Sequence, residues 1–207
     1  MPGAAPLGEV TDEKLAARSA GGDQDAFAEL VRRYQDRLFA LALRMVGQRE
    51  EAEDVAQEAF LNIYRNLGRY RTGERFAPWA YKIASNLCID HLRRRRAQIV
   101  SLDAPADAER EEDEQRPIPD WSMSPEKVAL EYEGEAQILA AIDQLSPNYR
   151  LIVLLRHVHD MTYEEIAVVT GLPLGTVKNR LFRARESLKR TLAHLRPGAA
   201  GARSVTT

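Results

Sequence analysis

The chain has 207 residues, with 29 basic and 31 acidic side chains and a formal net charge of −2. With 29% charged and 44% hydrophobic residues its composition is that of an ordinary globular protein, which excludes a histone-like polycation and an acidic disordered chain. One cysteine, Cys88, excludes an internal disulfide and a zinc site built from several thiolates.

No apolar run reaches the about 18 residues of a membrane span. The opening MPGAAPLGEV lacks the basic start and apolar core of a secretory signal. A cytoplasmic protein without membrane insertion is the expectation. Aromatic residues make up only 7%, and strand signals are weak throughout.

In chain order, residues 1–10 read as a tail. Thr11 caps a short helix to about Ala20, which Gly21-Gly22 ends. A second helix starts near Asp23, with Phe27, Leu30, Val31, Tyr34, Leu38, Leu41 and Met45 at spacings of 3 or 4 and Gly47 as its stop. A third runs from about Glu50 to Leu67 on Ala52, Val55, Ala59, Ile63 and Leu67. Residues 69–77, RYRTGERFA, form a polar loop. A fourth helix opens near Pro78 and runs to about Ala97, with Trp79, Ile83 and Leu87 on its apolar side and Arg93–Arg96 at its end. Cys88 falls within the apolar part of this helix and reads as packing.

The composition then breaks. Between Asp103 and Asp120 eight acids face only Arg110 and Arg116, with three prolines and almost nothing to bury. This segment reads as a linker. Ser124-Pro125 and Ser146-Pro147 each place a capping residue before a proline, predicting helices over 125–144 and 147–159. Thr162-Tyr163-Glu164-Glu165 is a capping box, GLPLG over 171–175 is a turn, and a last helix spans about Thr176 to Leu195. The expected fold is therefore all-α: two small helical domains on an acidic flexible linker. The divisions fall at 1–22 (tail and short helix), 23–98 (first domain), 99–124 (linker), 125–196 (second domain) and 197–207 (tail).

Residues 162–190 have the build of a DNA-reading helix-turn-helix. Val177, Leu181, Ala184 and Leu188 anchor one face of the last helix and leave Lys178, Asn179, Phe182, Arg183 and Arg185 facing away or at the flanks. Seven basic residues and only Glu186 occupy Leu174 to Arg196, a surface that neutralises phosphates. Asn179 and Arg183 are the candidates for reading base edges.

Two further stretches point the same way. Asp54-Val55-Ala56-Gln57-Glu58-Ala59-Phe60-Leu61 resembles the core-polymerase-binding helix of bacterial σ70-type factors. Phe76 to Asn86 (FAPWAYKIASN), followed by Asp90-His91-Leu92-Arg93-Arg94, resembles their −10 promoter region. Tyr163–Ala167 with Gly175–Arg185 (GTVKNRLFRAR) resembles their −35-reading domain. Two domains with a short linker resemble the extracytoplasmic-function (ECF) subgroup, over about residues 20–195.

The resemblance implies an alternative sigma factor that binds core RNA polymerase, through the β′ clamp helices and the β subunit, and directs promoter-specific initiation. It implies core contacts by Asp54, Gln57, Glu58, Phe60 and Leu61, with Phe60 open between docking and internal packing. It implies −10 contacts by Trp79, Tyr81, Lys82, Asn86, Arg93 and Arg94, with Asn86 lining the pocket for a flipped base and the 69–77 loop closing over it. Trp79 is half core, half wedge in this reading. The −35 contacts fall to Thr176, Lys178, Asn179, Phe182, Arg183 and Arg185. An anti-sigma factor is an implied partner beside promoter DNA. The acidic linker either follows the polymerase's RNA path or is a solubilising tether.

No P-loop, GxSxG or HExxH motif is present, and His91, His157, His159 and His194 have no metal-ligand spacing. No residue is assigned to catalysis, a metal or a cofactor, and the chain is expected not to be an enzyme. The rival reading is a helix-turn-helix regulator that acts without being a polymerase subunit. It explains residues 162–190 but leaves 54–61 and 76–96 without a role.

Overall fold

A computed structural model of the chain describes residues 7–71, 73–100 and 135–195. Among them are eight α-helices and no β-strand. The 125–134 part of the expected 125–144 helix, the acidic stretch of the linker, residues 1–6 and residues 196–207 lie outside the described residues.

The helices start and stop where local chemistry satisfies their ends. Helix α1 (Asp12–Ala20) is capped by the Thr11 hydroxyl, which accepts from the Lys14 amide at 3.4 Å. Helix α2 (Gln24–Val46) is capped by Asp23, whose carboxylate accepts from the Ala26 amide at 3.0 Å. It ends on Gly47 in the left-handed region, φ 84°. Helix α3 (Arg49–Asn66) follows, then a 3-10 turn at Leu67–Arg69 and helix α4 (Phe76–Val100). Two residues before the expected Pro78, α4 already begins, and it carries on through Val100 rather than stopping at Ala97.

Leu30, Tyr34, Leu38, Leu41 and Met45 of α2 meet Ala52, Val55, Ala59 and Ile63 of α3 and Phe76, Ala80, Ala84 and Cys88 of α4 in one buried cluster. The alanines on α3 and α4 let those helices approach α2 closely. Leu15 and Ala16 of α1 close the bundle. Burial pushes the Cys88 thiol up to about 12, so this cysteine packs and stays protonated.

The second half comprises α5 (Glu135–Asp143), α6 (Pro147–His157), α7 (Tyr163–Thr170) and α8 (Leu174–Leu195). Pro147 stands at the first position of α6, although Ser146 makes no side-chain cap bond there. The capping box of α7 is complete: Thr162 Oγ1 accepts from the Glu165 amide at 3.2 Å, and Glu165 Oε2 accepts from the Thr162 amide at 2.9 Å. Gly171, φ 70°, makes the turn into α8 in a conformation that glycine adopts without a Cβ penalty. Leu151, Ile152, Leu154 and Leu155 of α6 pack with Ile166 and Val169 of α7 and Val177, Leu181 and Ala184 of α8.

The two helical halves also pack on one another. Their buried residues join in a single cluster, with α7 seated on α4 and α6 against α2 and α4. Polar bonds fix the seam. The Arg150 guanidinium donates to the Met45 carbonyl at 3.0 Å, Tyr81 bonds to His159, and Arg75 pairs with Glu165. Glu165 thus serves the cap of α7 and the docking of its half at once.

Candidate nucleic-acid and polymerase interfaces

Helix α3 divides cleanly. Ala52, Val55, Ala56, Ala59 and Ile63 are buried, while Asp54, Gln57 and Glu58 are exposed. Leu61 shares their side and is 55% exposed. Phe60 is half-buried, packing on the core with part of its ring still accessible. Tyr64, absent from the sequence reading, is 50% exposed one turn beyond Leu61, its ring 4.9 Å from that of Phe27. The signal was available: an aromatic three residues after an exposed leucine extends the same face. Two large exposed apolar side chains here have carboxylates and an amide around them, the pattern of apolar anchors with a polar rim.

Helix α4 and the loop before it form the second surface. The loop turns at Gly73, φ 106°, with the Glu74 amide donating to the Arg71 carbonyl at 3.1 Å. The Tyr70 hydroxyl donates to the Glu74 carbonyl. Rings of Tyr70, Phe76 and Trp79 pack mutually at centroid separations of 5.9, 5.8 and 5.2 Å, and Tyr34 meets Phe76 edge-on at 5.2 Å. Trp79 is half-buried in this cluster, so part of its ring is core and part faces out. Lys82 and Asn86 are exposed, and their spacing of four places them on one face; Arg93, a further seven residues on, continues it. Arg94 is exposed beside it. Arg95 instead turns back onto α3, 3.3 Å from Glu51, whose carboxylate also meets His91 at 3.0 Å.

Tyr81 corrects the expectation. It is 1% exposed, and its hydroxyl lies 2.9 Å from His159 Nδ1, beneath the second half. In this arrangement its ring is not presented to DNA. Packing at α4's apolar face, invisible in a local motif, claims it.

The third surface is α8. Val177, Leu181 and Ala184 are buried and Lys178 is exposed. Phe182 is 38% exposed, an unusual placement for a phenylalanine on a basic helix. Thr176, Asn179, Arg183 and Arg185 are partly exposed along its flanks. A helix with an anchored face, an N-terminal polar end and cations beside it matches the shape and charge of a major groove.

These features define a class: a two-part, all-helical transcription factor of the σ70 type. Residues 30–98 match the family Sigma-70 region 2, and residues 135–188 match Sigma-70, region 4. The chain is 38% identical over 189 residues to the RNA polymerase sigma-H factor of Pseudomonas aeruginosa, covering 91% of this chain and 97% of that protein. It is 36% identical to the ECF RNA polymerase sigma factor SigW of Bacillus subtilis, covering 90% of this chain and all (100%) of that one. Among solved structures, CnrH in complex with the cytosolic domain of CnrY superposes with a TM-score of 0.63 at 26% identity, over 88% of this chain and 97% of that one. The chain belongs to the ECF sigma factor family, whose members are transcription initiation factors.

Proposed function

We propose that this sigma factor binds core RNA polymerase through the exposed face of α3 and directs it to promoters by reading −10 DNA with α4 and −35 DNA with α8. The observation that carries the reading is Leu61. It is a large apolar residue, 55% exposed, beside Asp54, Gln57 and Glu58 on a helix whose other face is fully buried. A helix-turn-helix regulator that never meets polymerase has no use for that face.

The division of labour follows the domains: 23–98 for core binding, −10 recognition and melting, and 125–196 for −35 recognition. A melted strand needs aromatic platforms and phosphate-binding cations, which Trp79 and the line of Lys82, Asn86 and Arg93 supply. The chain contributes binding and positioning, and bond-making belongs to the polymerase, in the compartment where the polymerase works. No described helix is long and apolar enough to cross a membrane. The similarity to CnrH, solved in complex with the cytosolic domain of CnrY, supports a protein partner for this chain, which the sigma-factor reading takes to be an anti-sigma factor.

Run-off transcription with purified core enzyme tests the reading. Specific starts on genomic promoters that depend on this chain are expected. Duplex binding without core association or specific starts would return it to the regulator class.

A further inference from the structure

The first turn of α1 is wired to the first residue of α4. Glu13 Oε1 accepts a hydrogen bond from the Phe76 amide at 3.3 Å, across 63 residues of sequence. Phe76 opens α4, and its N–H is one of the four that a helix leaves without an internal partner. Such an end is ordinarily capped by a neighbour in sequence; here a carboxylate from another helix does it, at the positive end of the α4 dipole.

The residue before Glu13 is firmly held. The adjacent Asp12 carboxylate accepts from the Tyr34 hydroxyl at 2.5 Å and from Arg33 at 2.6 Å. Arg33 also donates to the Leu7, Gly8 and Val10 carbonyls at 2.8, 3.0 and 2.8 Å, binding the segment before α1 to α2. Tyr34 then touches the Phe76 ring. Two routes therefore run from Asp12-Glu13 to Phe76, one to its backbone and one to its ring. From Phe76 the contact passes to Tyr70 and Trp79, the aromatic residues on either side of the loop. Burial pushes the Tyr70 phenol up to about 12, and the charge of Glu13 adds to it.

We infer that Glu13 is a positioning residue for −10 recognition: by capping α4 at Phe76 it fixes Tyr70, at the start of the loop, and Trp79 with the exposed Lys82 and Asn86 behind it in the geometry that captures a −10 base. This rests on the sigma-factor reading above. Glu13 touches no DNA; it acts through Phe76. When the cap is lost, the first turn of α4 frays and the loop samples other positions, so discrimination among −10 bases falls before core binding or −35 binding does.

The test uses the full chain with core enzyme on promoters that differ only at single −10 positions, with open complex read by permanganate reactivity. Glu13→Ala is expected to shrink the ratio of opening between preferred and substituted −10 sequences by three- to tenfold. Its affinity for core and for −35 duplex should equal that of the unmodified chain. Glu13→Gln keeps a carbonyl acceptor and should keep the ratio. Glu13→Asp, one methylene shorter, should lose it, and serves if the alanine variant does not fold. Amide hydrogen exchange gives a polymerase-free readout: the Phe76 N–H should exchange faster in Glu13→Ala. An unchanged ratio in Glu13→Ala and Glu13→Asp, or an equal loss in Glu13→Gln, overturns the inference and leaves the sigma-factor reading intact. Absence of promoter-specific opening by the unmodified chain overturns both.

Discussion

The hydroxyl of Tyr81 on α4 lies 2.9 Å from Nδ1 of His159, beyond the end of α6, and their rings stand 4.8 Å apart. A residue from the motif that resembles a −10 reader is thus spent on holding the two halves together. Tyr81→Phe keeps the ring and removes the bond, leaving a buried nitrogen without its partner. A loss of about 1–2 kcal/mol is expected in urea unfolding. In a double-mutant cycle, Tyr81→Phe and His159→Phe should be non-additive; additive losses would mean that the contact does not form in solution.

Acid should weaken this seam. Burial lowers the pKa of both His157 and His159 to about 4; Arg185 and Arg156 add to the effect on the first and Arg37 on the second, while Asp160 opposes it in each case. Both rings are neutral when folded and charge readily when unfolded, where their pKa is about 6.5. The unfolded chain therefore binds more protons between these values, and stability is lost as the pH falls. The melting temperature should hold above about pH 6.5 and drop progressively toward pH 4. Since both groups are partly solvated, the loss should be of the order of 1–2 kcal/mol per histidine. Replacing both with Gln should flatten the pH 4–6.5 limb.

Leu61 and Ile63 are two residues apart on α3 and should separate binding from folding. Leu61→Ala is expected to leave the melting temperature unchanged while weakening core binding about tenfold or more. Ile63→Ala opens a cavity in the bundle and should cost about 2–5 kcal/mol of stability. Core affinity by fluorescence anisotropy and thermal unfolding of the same two samples decide the matter.

On α8, Arg183→Ala should relax the preferred −35 sequence by about 1–3 kcal/mol if it reads a base edge bidentately. Lys178→Ala should weaken binding to all −35 sequences alike and lower the salt dependence by about one unit. Binding to a panel of −35 duplexes at several salt concentrations separates the two behaviours.

The elements were largely legible because their signals are local. Thr11, Asp23 and the Thr162–Glu165 box cap helices three residues away, Gly47 and Gly171 stop them, and apolar residues at spacings of 3 and 4 mark the buried faces. The polar side of α3 and the anchored face of α8 followed from the same periodicity. Tyr64 lies beyond the motif that ends at Leu61, so the motif alone does not mark it. Tyr81 was misplaced because aromatic character alone does not tell a stacking platform from a seam.

The near-zero net charge also has a local resolution, with a basic α8, arginines at the end of α4 and an acidic stretch after it. What required the tertiary structure is every bond between residues distant in the chain. Glu13 meets Phe76 across 63 residues and Tyr81 meets His159 across 78. Such contacts depend on how helices cross, which side-chain spacing along one helix does not encode. Sequence alone determined which faces of the helices are apolar; only packing decided that one arginine, Arg95, turns inward while Arg93 and Arg94 remain exposed, and that the two halves share one core.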